Sequence, residues 1–335
     1  MRPDREGGGR LIRRTIVGFE VQEADRGGRR YTYPMDYPNL ERIEASIELA
    51  ASHDDGDVEG LKVDPQRYPA QDAYFSTGVA QSPSFVRAMA DLVDPRFGAL
   101  FDRVLADEGN VASLRAMGDH LAAGGNIVNA VPHGPLLDIG LMHALPYLAL
   151  ADLGYDLRIG IVISHGVAGR GRRFNDELVC LADALDWACD KVWYVTPQTR
   201  KTRESSYTEV ASRVHIHQRN AVVRADIGSE LDRGGMLLTV APSATSNRTD
   251  SAGVTWLESP TAGTMRLLAH PRTLVSIAGG RMLGMAEPGY SLGPELIAVS
   301  PDDGLLDAQT RLLVQRLAEV MAVVDPAGSY AARRR

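Results

Sequence analysis

The chain has 335 residues, enough for one large α/β domain with an appendage or for two domains. Hydrophobic residues make up 44% and charged residues 24%, the balance of a soluble globular protein with a sizeable core. The formal net charge of −7 argues against a nucleic-acid surface as the chain's main business, because such surfaces are usually basic.

Residues 1–30 are rich in Arg and Gly without sustained periodicity, which predicts a mobile N-terminal segment. No apolar core follows the opening charges, so a signal peptide is not expected. From Tyr37 the pattern turns helical, with Leu40, Ile43, Ile47 and Leu49 near one face. The polar run His53–Gly60 ends it, and residues 61–81 are irregular, with Pro65 and Pro69. Helical patterns follow at 84–93, 96–108 and 110–123, punctuated by Pro95 and Gly109. Residues 31–110 therefore read as a small helical N-terminal domain.

After Gly124-Gly125 strand and helix alternate. Strand-like runs fall at Ile127–Val131, Leu157–Ser164, Lys191–Thr196, Met236–Ala241, Thr273–Ala278 and Glu295–Val299. Helical stretches lie at about 138–153, 174–189, 205–212, 220–233, 260–270 and 306–323. The alternation predicts an α/β domain over 111–325, a central and mostly parallel sheet flanked by helices. Residues 326–335, ending in Arg333-Arg334-Arg335, are expected to fray.

The longest apolar stretch, Ile139–Leu153, is broken by His143 and Pro146 and falls short of the ~18–20 residues that span a bilayer. That places the chain in solution, with at most peripheral membrane contact. Cys180 and Cys189 stand nine residues apart in one predicted helix, too far along it for a disulfide. A reducing, cytoplasmic setting is expected.

Ligands of such sheets gather at the carboxyl ends of the strands. The first strand-like run ends in Pro132-His133-Gly134-Pro135, and Asp138 follows the histidine by five positions. Within one regular helix the two side chains would point ~140° apart. With His133 in the turn and Pro135 near the helix start, Asp138 can swing back to the imidazole. An aspartate on one ring nitrogen fixes the tautomer and leaves the other free to take a proton from a hydroxyl. A second strand ends in Ala241-Pro242-Ser243 and opens into a polar loop with Ser246 and Arg248. Ser243 and Arg248 there suit a phosphate or carboxylate, although a solvated turn has the same composition.

Three other patterns weigh less. The glycine-rich basic run Ser164–Arg173 does not match a dinucleotide fingerprint, but such a loop suits an acidic carrier protein or a coenzyme's phosphates. His215 and His217 share one face only if extended and have no obvious third ligand, so no metal is expected. Ser82 and Ser84 lack a nucleophile-elbow context.

One ordered set of motifs carries a resemblance. His133 and Asp138 follow a strand, Arg233-Gly234-Gly235 precedes a second, and Ala241-Pro242-Ser243 with Arg248 follows it. Met265-Arg266 ahead of His270, and the stretch Gly289–Glu295, complete the set. This resembles the soluble, plastid-type glycerol-3-phosphate acyltransferases of the HxxxxD acyltransferase superfamily, over about residues 120–300. The resemblance implies a single displacement with no acyl-enzyme, no metal and no other cofactor. His133, oriented by Asp138, would take the proton of the acceptor hydroxyl, and the alkoxide would attack the thioester of an acyl carrier protein or coenzyme A. Backbone N–H groups near Gly134 or at the helix N-terminus would hold the oxyanion. Ser243, Arg248, Arg200 and Lys201 would bind the acceptor, glycerol 3-phosphate.

The chain departs from that family at two places. Ser246 stands where the family has an arginine two residues before Arg248, and Pro197–Lys201 replaces a Lys-His pair. A serine cannot supply the missing charge. The departures motivate a second reading, the same chemistry on a different hydroxyl or amino acceptor in small-metabolite biosynthesis. A third reading is a non-catalytic protein that binds an acyl carrier or a lipid.

Overall fold

The computed structural model describes residues 15–17, 20–24, 30–34, 75–77, 83, 86–87, 90, 96–134, 136–164, 189–195, 213–243, 247–282 and 285–332. The chain divides into two units, Met1–Leu40 and Glu41–Arg335. In the first, β1 (Thr15–Val17), β2 (Glu20–Ala24) and β3 (Arg30–Pro34) form an antiparallel meander. Val21 stands opposite Tyr33 and Glu23 opposite Tyr31. The β-branched and aromatic residues of Ile16-Val17 and Tyr31-Thr32-Tyr33 carry a strand preference that the Arg- and Gly-rich composition masks.

In the second unit the chain runs through β4 (Phe75–Thr77), α1 (Arg96–Ala106), α2 (Glu108–Ala122), β5 (Asn126–Ala130), α3 (Leu136–Asp152), β6 (Arg158–Ser164) and β7 (Lys191–Val195). It continues through α4 (Arg213–Arg233), β8 (Met236–Val240), β9 (Arg248–Thr249), β10 (Val254–Leu257) and α5 (Ala262–Leu268). The last elements are β11 (Thr273–Arg281), β12 (Gly289–Leu292), α6 (Leu306–Val324) and β13 (Ser329–Ala332). Seven strands form one sheet in the order β12-β11-β5-β8-β6-β7-β4. The inner five run parallel, and the edge strands β12 and β4 run antiparallel. This is the mostly parallel α/β sheet that the strand-helix alternation predicts. Among the described residues no helix is long and apolar enough to cross a membrane.

Both faces of the sheet are covered, which is why β5 and β8 are buried along their whole length. On one face Val128, Ala130, Leu238, Val240, Val275 and Ile277 pack against α4, α5 and α6. Helix α6 meets them with Leu313, Leu317, Val320 and Val324, one apolar stripe at helical spacing. Helix α4 is also tied down by charge. Lys191 on β7 bonds Asp226 at 2.6 Å and Glu230 at 3.2 Å, Arg158 on β6 pairs with Glu230, and Trp193 Nε1 donates to Asp226 at 2.7 Å.

The opposite face takes α3, and a proline explains one polar contact there. Pro146 has no N–H, so the carbonyl of Met142, four residues earlier, lacks its helical donor. Asn129 Nδ2 on β5 donates to that carbonyl at 2.9 Å. The sheet thus supplies the bond that the helix cannot make, and Pro146 sits inside α3 without ending it.

Several expectations from sequence differ from the structure. Helix α1, assigned to the N-terminal domain, belongs with the sheet: Arg96 donates to Met285 O at 2.6 Å and Arg103 to Pro288 O at 2.8 Å. The division of the chain falls after Leu40, not near 110. The tail expected to fray contains β13, which pairs parallel to β10 with Val254 opposite Ser329. The run Glu295–Val299 contributes only a bridge from Ile297 to Val275, and the edge strand is β12 instead. Glycine hides that strand from a β-propensity reading, yet a Cβ on Gly289 would stand 2.7 Å from Val324 O. The predicted helices at 205–212 and over most of 174–189 lie outside the described residues, but Cys189 is in non-helical chain just before β7.

Candidate active site

Strands β11, β5 and β8 are parallel neighbours, so their carboxyl ends open side by side on one edge of the sheet. The chain leaving β5 continues the ladder by one bond, Val131 N–H to Val240 O at 3.0 Å, before it turns. Pro132, His133 and Gly134 form the turn, closed by Gly134 N–H to Pro132 O at 2.9 Å. Helix α3 then starts at Leu136, with Asp138 in its first turn, where the free amides of a helix start favour a carboxylate.

Asp138 is buried, and its Oδ1 accepts from the amide of Met282 at 2.8 Å, just past the end of β11. His133 is half-buried, and its Nδ1 is shut off from solvent with no hydrogen-bond partner among the described residues. The structure therefore brings the two residues to one strand end without an Asp138 bond on Nδ1. Burial lowers the His133 pKa below its ordinary value. The imidazole is accordingly neutral at neutral pH.

The loop after β8 is fastened to this corner. Asn247 N–H donates to His133 O at 3.0 Å, so the two stretches singled out from sequence are neighbours in space. Ser243 is buried at the end of β8. Arg248 opens β9, with its backbone opposite Trp256 on β10. Asp250 holds the β9–β10 hairpin, accepting from Trp256 Nε1 at 2.8 Å and from the amides of Ala252 and Val254 at 2.9 and 3.0 Å. These bonds, the one from Trp256 foremost, keep the Asp250 carboxyl below its ordinary pKa.

Other expected site residues stand differently. The Gly134 amide is engaged by Pro132 O, so in this conformation it is not presented to an oxyanion; the first-turn amides of α3 remain for that role. Arg200, Lys201, Ser246 and the basic run after Ser164 lie outside the described residues. His215 and His217 fall within α4, where a two-residue step turns ~200° about the axis, so the extended arrangement does not form. Among the described residues no group of three or more His, Cys, Asp or Glu is placed to hold a metal ion.

Three residues join the site that sequence reasoning passed over. Met282 bonds Asp138 and Asn247 bonds His133 through the main-chain amide, which no side-chain type signals. Arg281 ends β11 beside them. Burial alone would lower its pKa, but Tyr330, Asp325 and Asp138 together hold it above the ordinary value. Its guanidinium pairs with Asp325 and lies 3.1 Å from the Tyr330 hydroxyl. On the sheet-facing side of α3, His143 is fully buried, with Nδ1 2.9 Å from Thr239 Oγ1 and Nε2 2.9 Å from Cys189 Sγ.

No protein-family model matches the chain, and no curated protein matches its sequence. The functional reading therefore rests on the geometry and on the motif resemblance.

Proposed function

We propose that the chain is a cytoplasmic acyltransferase of the HxxxxD type. It moves an acyl group from an acyl carrier protein or coenzyme A thioester to the hydroxyl of a small acceptor, glycerol 3-phosphate first among them. The observation that supports this most is the Asn247–His133 bond, which sets the histidine corner beside the loop carrying Ser243 and Arg248. Acyl transfer to a phosphorylated alcohol needs a base and an anion site near one another at the strand ends, and the bond keeps the two candidate stretches adjacent in the backbone.

His133, kept neutral by its burial, accepts the acceptor's hydroxyl proton. The oxygen attacks the thioester carbonyl, the C–O bond forms, and the C–S bond breaks. The departing thiolate takes the proton back from His133. First-turn amides of α3 stabilise the oxyanion, an effect worth about 3–4 kcal/mol for one such donor. Asp138 orients the ring once substrate closes the site, since catalytic hydrogen bonds are often long in unliganded enzymes and tighten in the complex.

Mass spectrometry of products from acyl carrier protein and coenzyme A thioesters, offered with phosphorylated and unphosphorylated acceptors, tests the reading. An acylated glycerol 3-phosphate is the expected product. Turnover of another alcohol or an amine alone would move the assignment to that acceptor, as the Ser246 departure suggests.

A second reading draws on one observation, the Met282 amide on Asp138 beside a His133 Nδ1 that has no partner among the described residues. It describes a non-catalytic protein that binds an acyl carrier or a lipid. Thioester binding without acyl transfer to any acceptor would favour it.

A further inference from the structure

Helix α6 buries one stripe against the sheet, and its opposite side carries a second pattern. Leu312, Arg316, Glu319 and Val323 are spaced four, three and four residues apart, so they fall on one face of the helix. Leu312 is 39% exposed and Val323 66% exposed, one at each end of the stripe. Arg316 and Glu319 lie between them, bonded to each other at 2.9 Å. Beside the stripe runs an open groove of about 170 Å³, whose walls include Leu292, Pro294, Ile297 and Val320.

The order apolar, basic, acidic, apolar reads as its own complement when reversed. A two-fold axis passing between Leu317 and Ala318 would set two copies of α6 antiparallel. It would place Leu312 of each copy against Val323 of the other, and Arg316 of each against Glu319 of the other. A four-three-four spacing is also the seam spacing of packed helix pairs. In a two-fold interface, if residue i meets residue j then j must meet i. This stripe satisfies that condition in both apolar and charged pairs.

We infer that the α6 stripe is a homodimer interface, with a second copy of the chain as its occupant. Leu312 of each copy seats at the groove end marked by Val320 and Val323, and the four central charges close into a ring. Each Arg316, already paired within its own chain with Glu319 and Glu295, then faces the Glu319 of the other copy as a third carboxylate. A single helix pair is a small contact, so the dimer is reversible rather than permanent.

Sedimentation velocity on the full chain, from about 1 to about 100 μM, should show a monomer–dimer equilibrium. Arg316→Glu and Glu319→Arg each set like charges across the axis and should weaken association at least about tenfold. The double variant Arg316→Glu/Glu319→Arg restores the complementary order, and should recover association to within about threefold of the parent. Val323→Asp, at an exposed position whose replacement spares the core, should dissociate the dimer while leaving the circular dichroism spectrum unchanged. A chain that stays monomeric over the whole range overturns the inference, whatever else covers the stripe. So does a dimer indifferent to the single reversals, or a double variant as weak as either single one.

Discussion

The amide of Met282 donates to Asp138 Oδ1 over 2.8 Å, joining residues 144 positions apart. The first turn of α3 is thereby pinned to the end of β11, and the carboxylate expected beside His133 has a structural duty of its own. Both groups are buried, so the bond cannot be replaced by water.

Removing that acceptor should therefore cost stability apart from any activity. Asp138→Ala leaves a buried N–H unsatisfied and is expected to lose about 1–3 kcal/mol in urea denaturation. Asp138→Asn keeps an oxygen for Met282 and should lose clearly less. Equal losses would show that the Met282 bond contributes little.

The burial of His133 makes stability depend on pH with a definite sign. Its folded pKa lies below the ordinary value, whereas in the unfolded chain the ring titrates near ~6.5. Between those two values the unfolded chain binds more protons, so stability rises with pH through the window. The loss begins as pH falls below ~6.5 and is complete under the folded pKa. Urea titrations at about pH 7.5 and about pH 5.5 should show a larger acid loss for the parent than for His133→Asn. Parallel pH slopes would contradict this.

Pro146 and Asn129 should be energetically coupled. Asn129→Leu strands the Met142 carbonyl and is expected to cost about 1–3 kcal/mol. In a Pro146→Ala background the new amide can serve that carbonyl, so the same substitution should cost little. A double-mutant cycle on urea midpoints measures the difference, and strict additivity would refute the account.

Two glycines should respond oppositely to alanine. Gly234, in the α4–β8 turn, has φ +76°, and a Cβ there would stand 2.5 Å from Gly124 O. Gly234→Ala is expected to cost more than about 2 kcal/mol, left-handed strain and a backbone clash together. Gly228 lies inside α4 with nothing within 4 Å of its added Cβ, so Gly228→Ala should gain about 0.5–1 kcal/mol. Thermal melts of the two variants decide it.

Much of the α/β unit was legible because parallel strands buried on both faces read as short apolar runs. Ile127–Val131 and Met236–Ala241 are each within a residue of the observed β5 and β8. The antiparallel edge β12 was not legible, since Gly-Tyr-Ser-Leu alternates over only four residues, opens on glycine and has no apolar run. Nor was the docking of α1, because its bonds go from arginine side chains to main-chain carbonyls that no local pattern marks. In the site, His133 and Asp138 stood out by residue type. Their supports, the amides of Asn247 and Met282, depend on strand order alone and become visible only when β11, β5 and β8 are known to be neighbours.

The central claim, acyl transfer with His133 as base, is tested most directly by thiol release. Parent and His133→Ala proteins are mixed with acyl carrier protein and coenzyme A thioesters, with and without the acceptor panel, and free thiol is followed. The account predicts acceptor-dependent release by the parent and a fall of at least about 10²-fold in the variant, with circular dichroism unchanged. Equal rates in the two proteins, or no acceptor-dependent release from any thioester, would contradict it.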